Sequence, residues 1–351
     1  MSLRPAIPAL AAALLFGIST PLAKLLVGTM PALLLAGLLY LGSGLGLGSL
    51  IVGRAFARRA DPDAAALRIP AAEVPWLAGA IAFGGVFGPA LLMAGLSRTS
   101  AASAALLLNL EGVLTAVLAW LAFKENTDRQ IVLGMVAIVA GGALLAWQPG
   151  GATWSAGAVL IAGACFCWAI DNNLTRKVST NDAMLVACLK GSLAGACNTA
   201  LALAAGAGLP SWPAIGLSLL VGFVGYGLSL TLFVVALRTL GTARTGAHFS
   251  VAPFFGVALS LAIWPDVPGP VFWIAAALMG LGVWLHVRER HEHMHTHEPL
   301  VHSHSHRHDE HHQHLHEFPW NGEEPHAHPH RHEVLTHKHP HYPDIHHRHL
   351  H

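Results

Sequence analysis

"LLLNLEGVLTAVLAWLAFKENTDRQIVLGMVAIVAGGALL" runs from Leu106 to Leu145. It is almost wholly apolar as far as Phe123, polar from Lys124 to Gln130, and apolar again to Leu145. A helix that crosses a bilayer needs about 20 mostly apolar residues. The stretch therefore predicts two membrane spans joined by a short charged loop. Composition extends this to the whole chain. Charged residues make up 11% of the 351 and hydrophobic ones 54%, against about 25% charged in an ordinary soluble domain. A water-soluble fold could not hide so much apolar surface.

Ten such runs follow one another, at about 6–28, 31–52, 74–95, 100–122, 130–148, 154–175, 183–206, 213–236, 242–264 and 268–288. The first has Arg4 before it, but it is too long for a signal peptide and carries Lys24 near its far end. The expectation is an all-α polytopic membrane protein in lipid. Its domains are residues 1–150 with five helices, 151–290 with five more, and a tail over 291–351. Loop charge orients it. One set of ends holds Arg4, Arg54, Arg58, Arg59, Arg68, Lys124, Arg129, Arg176, Lys177, Arg238, Arg244, Arg288 and Arg290. The other holds little beyond Lys24 and Arg98. Both termini are thus expected in the cytoplasm, the chain sitting in a bacterial inner membrane. Glycines four apart, at Gly42/Gly46, Gly44/Gly48 and Gly84/Gly88, allow close helix approach in lipid.

The halves repeat. "FGISTPLAK" (Phe16 to Lys24) lies over "WAIDNNLTR" (Trp168 to Arg176) at an offset of 152. "VLTAVLAWLAFKE", ending at Glu125, lies over "FFGVALSLAIWPD", ending at Asp266, at an offset of 141, and Gly141 falls on Gly282. Five spans is an odd number, so the second half is inverted in the membrane. Inverted repeats of this kind build secondary transporters with the solute site between the halves.

The Leu106–Leu145 stretch resembles the signature of the EamA domain in the drug/metabolite transporter superfamily. "LLFGISTPLAKLL" resembles that domain's first helix, and the likeness runs over roughly 5–288 as two tandem domains. "CWAIDNNLTRK", "LKGSLAGACN" and "ALRTLGTARTGAHFSVAPFFG" resemble one bacterial branch whose members also end in His-rich tails. The resemblance implies ten helices in a 5+5 arrangement and small-solute transport, often export, without naming a solute. Where an acidic "GE" pair is usual, the second repeat has "WPDVPG", so no role passes to Asp266.

Ionisable groups inside lipid are costly and mark function. At about 1.5 Å per residue, Lys190 lies ~10 Å deep from the cytoplasmic side, Asp171 ~6 Å and His248 ~9 Å. Asn172 and Asn173 add amides beside Asp171. This layer suits a charged or zwitterionic solute or a proton relay, or else Lys190 and Asp171 form an ion pair that locks two helices. Glu111 sits mid-helix with Asn109 two residues earlier; it could exchange a proton during transport or serve a helix break. Trp168, Tyr226 and Asn198 are weaker cavity candidates, and Pro21 and Pro253 fall inside the first and ninth runs. There is no phosphate-binding loop and no nucleophile with a base at helix spacing, so the expectation is no enzyme, no required cofactor and no nucleic-acid partner. The four cysteines lack metal-site spacing. A homodimer is left open.

Of the 25 histidines, only His248 and His286 precede residue 291. The tail is polar and expected to be disordered. Its "H-x-H" runs offer imidazoles suited to zinc, nickel, cobalt or copper, notably His302, His304, His306, His308, His311, His312, His314, His316, His346 and His347. Nine Asp/Glu against four Lys/Arg leave it at −5 with neutral histidines, and acidification through about pH 6.5 turns it positive. Three readings follow. The core exports a small organic metabolite by alternating access and the tail responds to metal or pH. Or the core extrudes a divalent transition metal that the tail collects. Or the chain is a membrane-anchored metal store. The lysine at 190 would repel a cation, which favours the first.

Overall fold

The computed structural model describes residues 6–57, 69–123, 129–148, 153–178, 182–240, 245, 248–265 and 267–287, and tail segments 292–297, 300–306, 326–332 and 335–340. Ten helices follow the sequence: α1 (Ile7–Leu26), α2 (Ala32–Ala57), α3 (Ala71–Leu96), α4 (Ala101–Leu107 and Leu110–Phe123), α5 (Arg129–Ala146), α6 (Ala156–Thr175), α7 (Ala183–Ala204), α8 (Trp212–Gly222 and Ser229–Leu240 with Phe223–Leu228 between them), α9 (Ala252–Ile263) and α10 (Pro270–Val287). Nine of these are long and apolar enough to cross a membrane among the described residues. The ninth run is shorter than expected as regular helix: turns at Ser250 and Val251 precede α9, which begins at Ala252, and residues 241–244 and 246–247 lie outside the described set. Pro253 proves to sit in the first turn of α9 rather than inside it, where a missing N–H costs nothing. Pro21 is inside α1 as read.

The packing carries the repeat. α2 packs on α7 and α5 on α10, each against its own counterpart. α1 packs on α8 and α9, and α6 correspondingly on α3 and α4. The glycine pairs sort by partner. Gly44 and Gly48 face α7 at Ser192 and Cys188, while Gly42 and Gly46 face α8 at Leu219 and Phe223. Gly195 faces Leu41, and a Cβ on Gly282 would stand 2.6 Å from the Gly134 carbonyl oxygen across the α5–α10 crossing. With no apolar solvent-exclusion force between helices in lipid, this close backbone contact supplies the packing energy. Leu133, Val136, Leu281 and Trp284, by contrast, are exposed, as lipid-facing side chains of α5 and α10 should be.

Two helices contain a turn of π-helix that sequence reading missed: Ile81–Phe87 in α3 and Phe223–Leu228 in α8. Gly84 and Gly225 are 141 positions apart, the offset of the repeat. Such turns leave main-chain carbonyls without their helical donors and gather at functional sites.

Between α5 and α6 a short hairpin pairs β1 (Trp147–Gln148) with β2 (Thr153–Trp154). The Trp147 and Trp154 rings meet edge to face at 5.5 Å, and both are exposed, as expected of an anchor at a membrane–water interface. The tail, Arg290–His351, is a unit separate from the core, Met1–Glu289. Its described segments are not irregular as expected. β3 (Glu292–His297) pairs with β6 (Leu335–Pro340), and β4 (Leu300–His306) with β5 (His326–His332), both antiparallel. The alternation of His with other residues has the period of a strand, which composition alone did not weigh.

Candidate functional site

The polar layer forms around one turn of α6. Asp171 points to α7: Lys190 Nζ lies 2.5 Å from its Oδ1 and 2.7 Å from its Oδ2. Thr175, one turn along, donates to Asp171 Oδ1 at 2.8 Å and accepts from Lys190 at 3.2 Å. Lys190 and Asp171 are both buried, at 8% and 6% exposure. The ammonium is thus matched by one carboxylate and one hydroxyl, and the pair carries no net charge.

The next two residues of the same turn face α4. Asn172 Nδ2 donates to Glu111 Oε1 at 3.0 Å and to Thr115 Oγ1 at 3.2 Å. Asn173 Nδ2 donates to the Thr115 carbonyl at 3.3 Å and to Ala169 O at 2.8 Å within its own helix. Three consecutive polar residues therefore tie α6 to α4 of the first half and to α7 of the second. Glu111 is half-buried and sits in the first turn of the second segment of α4. The helix breaks just before it, at 108–109. Asn109 Nδ2 donates to the Leu106 carbonyl at 3.0 Å, and the Cys165 thiol from α6 lies 3.7 Å from the Leu107 carbonyl. Asn109 thus satisfies the break.

The π turn of α3 closes the layer. The Gly84 carbonyl accepts from Tyr40 Oη at 2.7 Å and from Trp168 Nε1 at 2.9 Å. The Gly85 carbonyl accepts from Asn198 Nδ2 at 2.9 Å. A carbonyl left bare in lipid would cost several kcal/mol; here side chains from α2, α6 and α7 meet them. Gly84 must be glycine, because a Cβ there would run into the Asp171 carboxylate. Tyr226, from the π turn of α8, stacks on Tyr40 with centroids 5.4 Å apart and meets Phe16 at 6.0 Å.

Most of the residues expected from sequence come together: Lys190, Asp171, Asn172, Asn173 and Glu111, with Asn109 at the adjoining break. His248 stands on the ninth span beside Phe249, whose ring packs on Phe16 and Phe233 at 5.4 and 4.8 Å. Thr115, Thr175, Tyr40 and Gly84 were missed. Thr115 and Thr175 stand four residues after Glu111 and Asp171, one helical turn on, and that spacing could have marked them. Nothing in the sequence marks a carbonyl released by a π turn. Among the described residues no three of His, Cys, Asp and Glu gather as a metal site. Of the tail histidines named above, His302, His304 and His306 fall on β4, opposite His330, His328 and His326. His308, His311, His312, His314, His316, His346 and His347 lie outside the described residues.

Comparison with known proteins agrees with this architecture. The EamA-like transporter family matches residues 3–147 and again 155–288. An uncharacterized transporter of Methanothermobacter thermautotrophicus is 26% identical over 289 residues, covering 78% of this chain and 83% of that protein. A solved crystal structure of a protein aligns with a TM-score of 0.59 at 18% identity, over 79% of this chain and 94% of that one, and so shares the fold. Two matches end to end, a helix packing that repeats between halves and a polar layer between them lead to one statement: the chain is a multi-pass membrane transporter and belongs to the EamA-like transporter family.

Proposed function

We propose that the protein exports a small organic solute, anionic or zwitterionic, from the cytoplasm across a bacterial inner membrane by alternating access, with both termini inside. The observation that carries this is the Asp171–Asn173 turn, which binds α4 of one half and α7 of the other at a single level. A rocking of the halves must remake the Asn172 and Asn173 bonds to α4. The layer offers Glu111 as the acidic group beside amide donors. Its donors also favour an organic solute over a bare metal ion. Asn172 and Asn173 present N–H groups to Glu111 and Thr115, and Asp171 is taken by Lys190. A divalent cation needs acceptors instead. The tail serves as a metal- or pH-responsive attachment, its imidazoles binding zinc, nickel, cobalt or copper.

The test compares cells carrying the intact protein, Glu111→Gln, and a chain ended after Arg290. Medium and cell metabolites are profiled, and cell nickel, cobalt, zinc and copper are measured by elemental analysis. The expected result is one organic solute enriched in the medium, lost with Glu111→Gln, and no metal that follows Glu111. A metal that accumulates in cells on Glu111→Gln would overturn this in favour of metal efflux.

A further inference from the structure

Lys190, the lysine of the inner layer, is closed off by Asp171. A second membrane lysine is placed differently. Lys24 lies in the last turn of α1, at the end of the helix opposite Ile7. Its ammonium donates to the Leu96 carbonyl, and to the Thr99 carbonyl at 2.8 Å. Leu96 is the last residue of α3, whose terminal carbonyls have no helical donor. Two of the three ammonium N–H groups are thereby anchored. Among the described residues no carboxylate lies within ion-pair distance of Lys24. Its charge is half-buried, held in one position and unmatched.

This ammonium forms part of the wall of a cavity of about 480 Å³ that is open to the protein surface. That volume is in the range of small-ligand pockets. Val27 and Ala32 give it an apolar lining over the buried Met30 and Leu35, and Ser97 adds a hydroxyl. Gly28 shapes the rim. It adopts φ +96°, which turns the chain so that Val27 and Met30 bridge, and no atom lies within 4 Å of where its Cβ would be. The mouth stays open.

We propose that this cavity is an anion-selective station at the outer mouth of the transport path, where Lys24 binds the carboxylate of an organic solute and the Val27–Ala32 wall takes its apolar body. It rests on the export reading and makes it specific: the outward face selects a small organic carboxylate, and the charge that selects it is Lys24, not Lys190. An apolar pocket with one fixed polar group is the usual build of such a site. A carboxylate on the remaining N–H gains a charge-assisted bond.

The experiment is calorimetric titration of the full chain in phosphatidylcholine nanodiscs with benzoate, butyrate, benzamide and butanamide, subtracting empty discs. The acids are expected to bind and their isosteric amides to bind far more weakly. Lys24→Gln is expected to weaken benzoate binding about tenfold or more, the worth of a charged hydrogen bond, and Lys24→Arg to keep most of it. Acids and amides binding alike, neither binding, or Lys24→Gln binding benzoate like wild type would each overturn the proposal. So would loss of benzoate binding when phosphatidylglycerol replaces phosphatidylcholine, since a lipid phosphate would then own the site. Failure of the export reading shows separately, in the metabolite profiles of Glu111→Gln, because binding here needs no turnover.

Discussion

Breaking the Lys190–Asp171 pair from one side should cost far more than removing it whole. Asp171→Asn leaves the Lys190 ammonium buried with only Thr175 Oγ1 and an amide oxygen. Lys190→Met leaves the carboxylate with Thr175 alone. The side chains are 10% and 9% exposed, so water does not rescue either. Removing one partner of a buried pair costs about 3–5 kcal/mol. At roughly 2–3 °C per kcal/mol for a unit of this size, each single variant should lose roughly 6–15 °C in apparent Tm. The double variant, Asp171→Asn with Lys190→Met, buries no charge, and should recover most of the loss, because an apolar replacement of such a pair is often near neutral. The assay is thermal unfolding of purified protein in one detergent at one scan rate, since membrane proteins unfold irreversibly and Tm then depends on rate. Singles that stay within about 2 °C of wild type, or a double variant worse than both, would refute the buried pair and with it the layer built on α6.

Other outcomes follow from the same geometry. Gly84→Ala should push a methyl group into the Asp171 carboxylate, destabilise by about 1–3 kcal/mol, and lower transport; an unchanged Tm would mean that α3 lies farther from α6. Tyr40→Phe alone should cost about 1 kcal/mol, because Trp168 still serves the Gly84 carbonyl, whereas Tyr40→Phe with Trp168→Phe strips both donors and should cost more than the sum of the two; additive losses in a double-mutant cycle would count against a shared acceptor. Gly282→Val should part α5 from α10 at the Gly134 carbonyl and lower the Tm, while Gly112→Ala, with open space around it, should leave it unchanged; equal effects would argue against a close crossing. A chain ended after Arg290 should unfold at the same temperature as the full chain and lose its binding of nickel or zinc in equilibrium dialysis; a lowered Tm would show that the tail supports the core.

The apolar spans and the two-fold repeat were legible in sequence for a plain reason. Lipid demands a long apolar run for every crossing, so the runs read off directly, and the offsets of 141 and 152 survive in residues such as Gly141 and Gly282. Asp171, Asn172, Asn173, Lys190 and Glu111 also stood out, because a polar group in an apolar run is rare. Sequence left open whether Lys190 met Asp171, since partner choice depends on how α6 and α7 pack. Packing decided that, and left Lys24 with no carboxylate at ion-pair distance among the described residues, a lysine which the sequence showed only as a charge near a helix end. Packing alone also decided that the Gly84 and Gly85 carbonyls leave their helix, because a π turn is one extra residue in a turn and leaves the apolar pattern unchanged. Sequence thus determined which residues lie in the membrane and in what order. Tertiary structure decided which of them neutralise one another, because charge pairing depends on distances between helices that no single helix encodes.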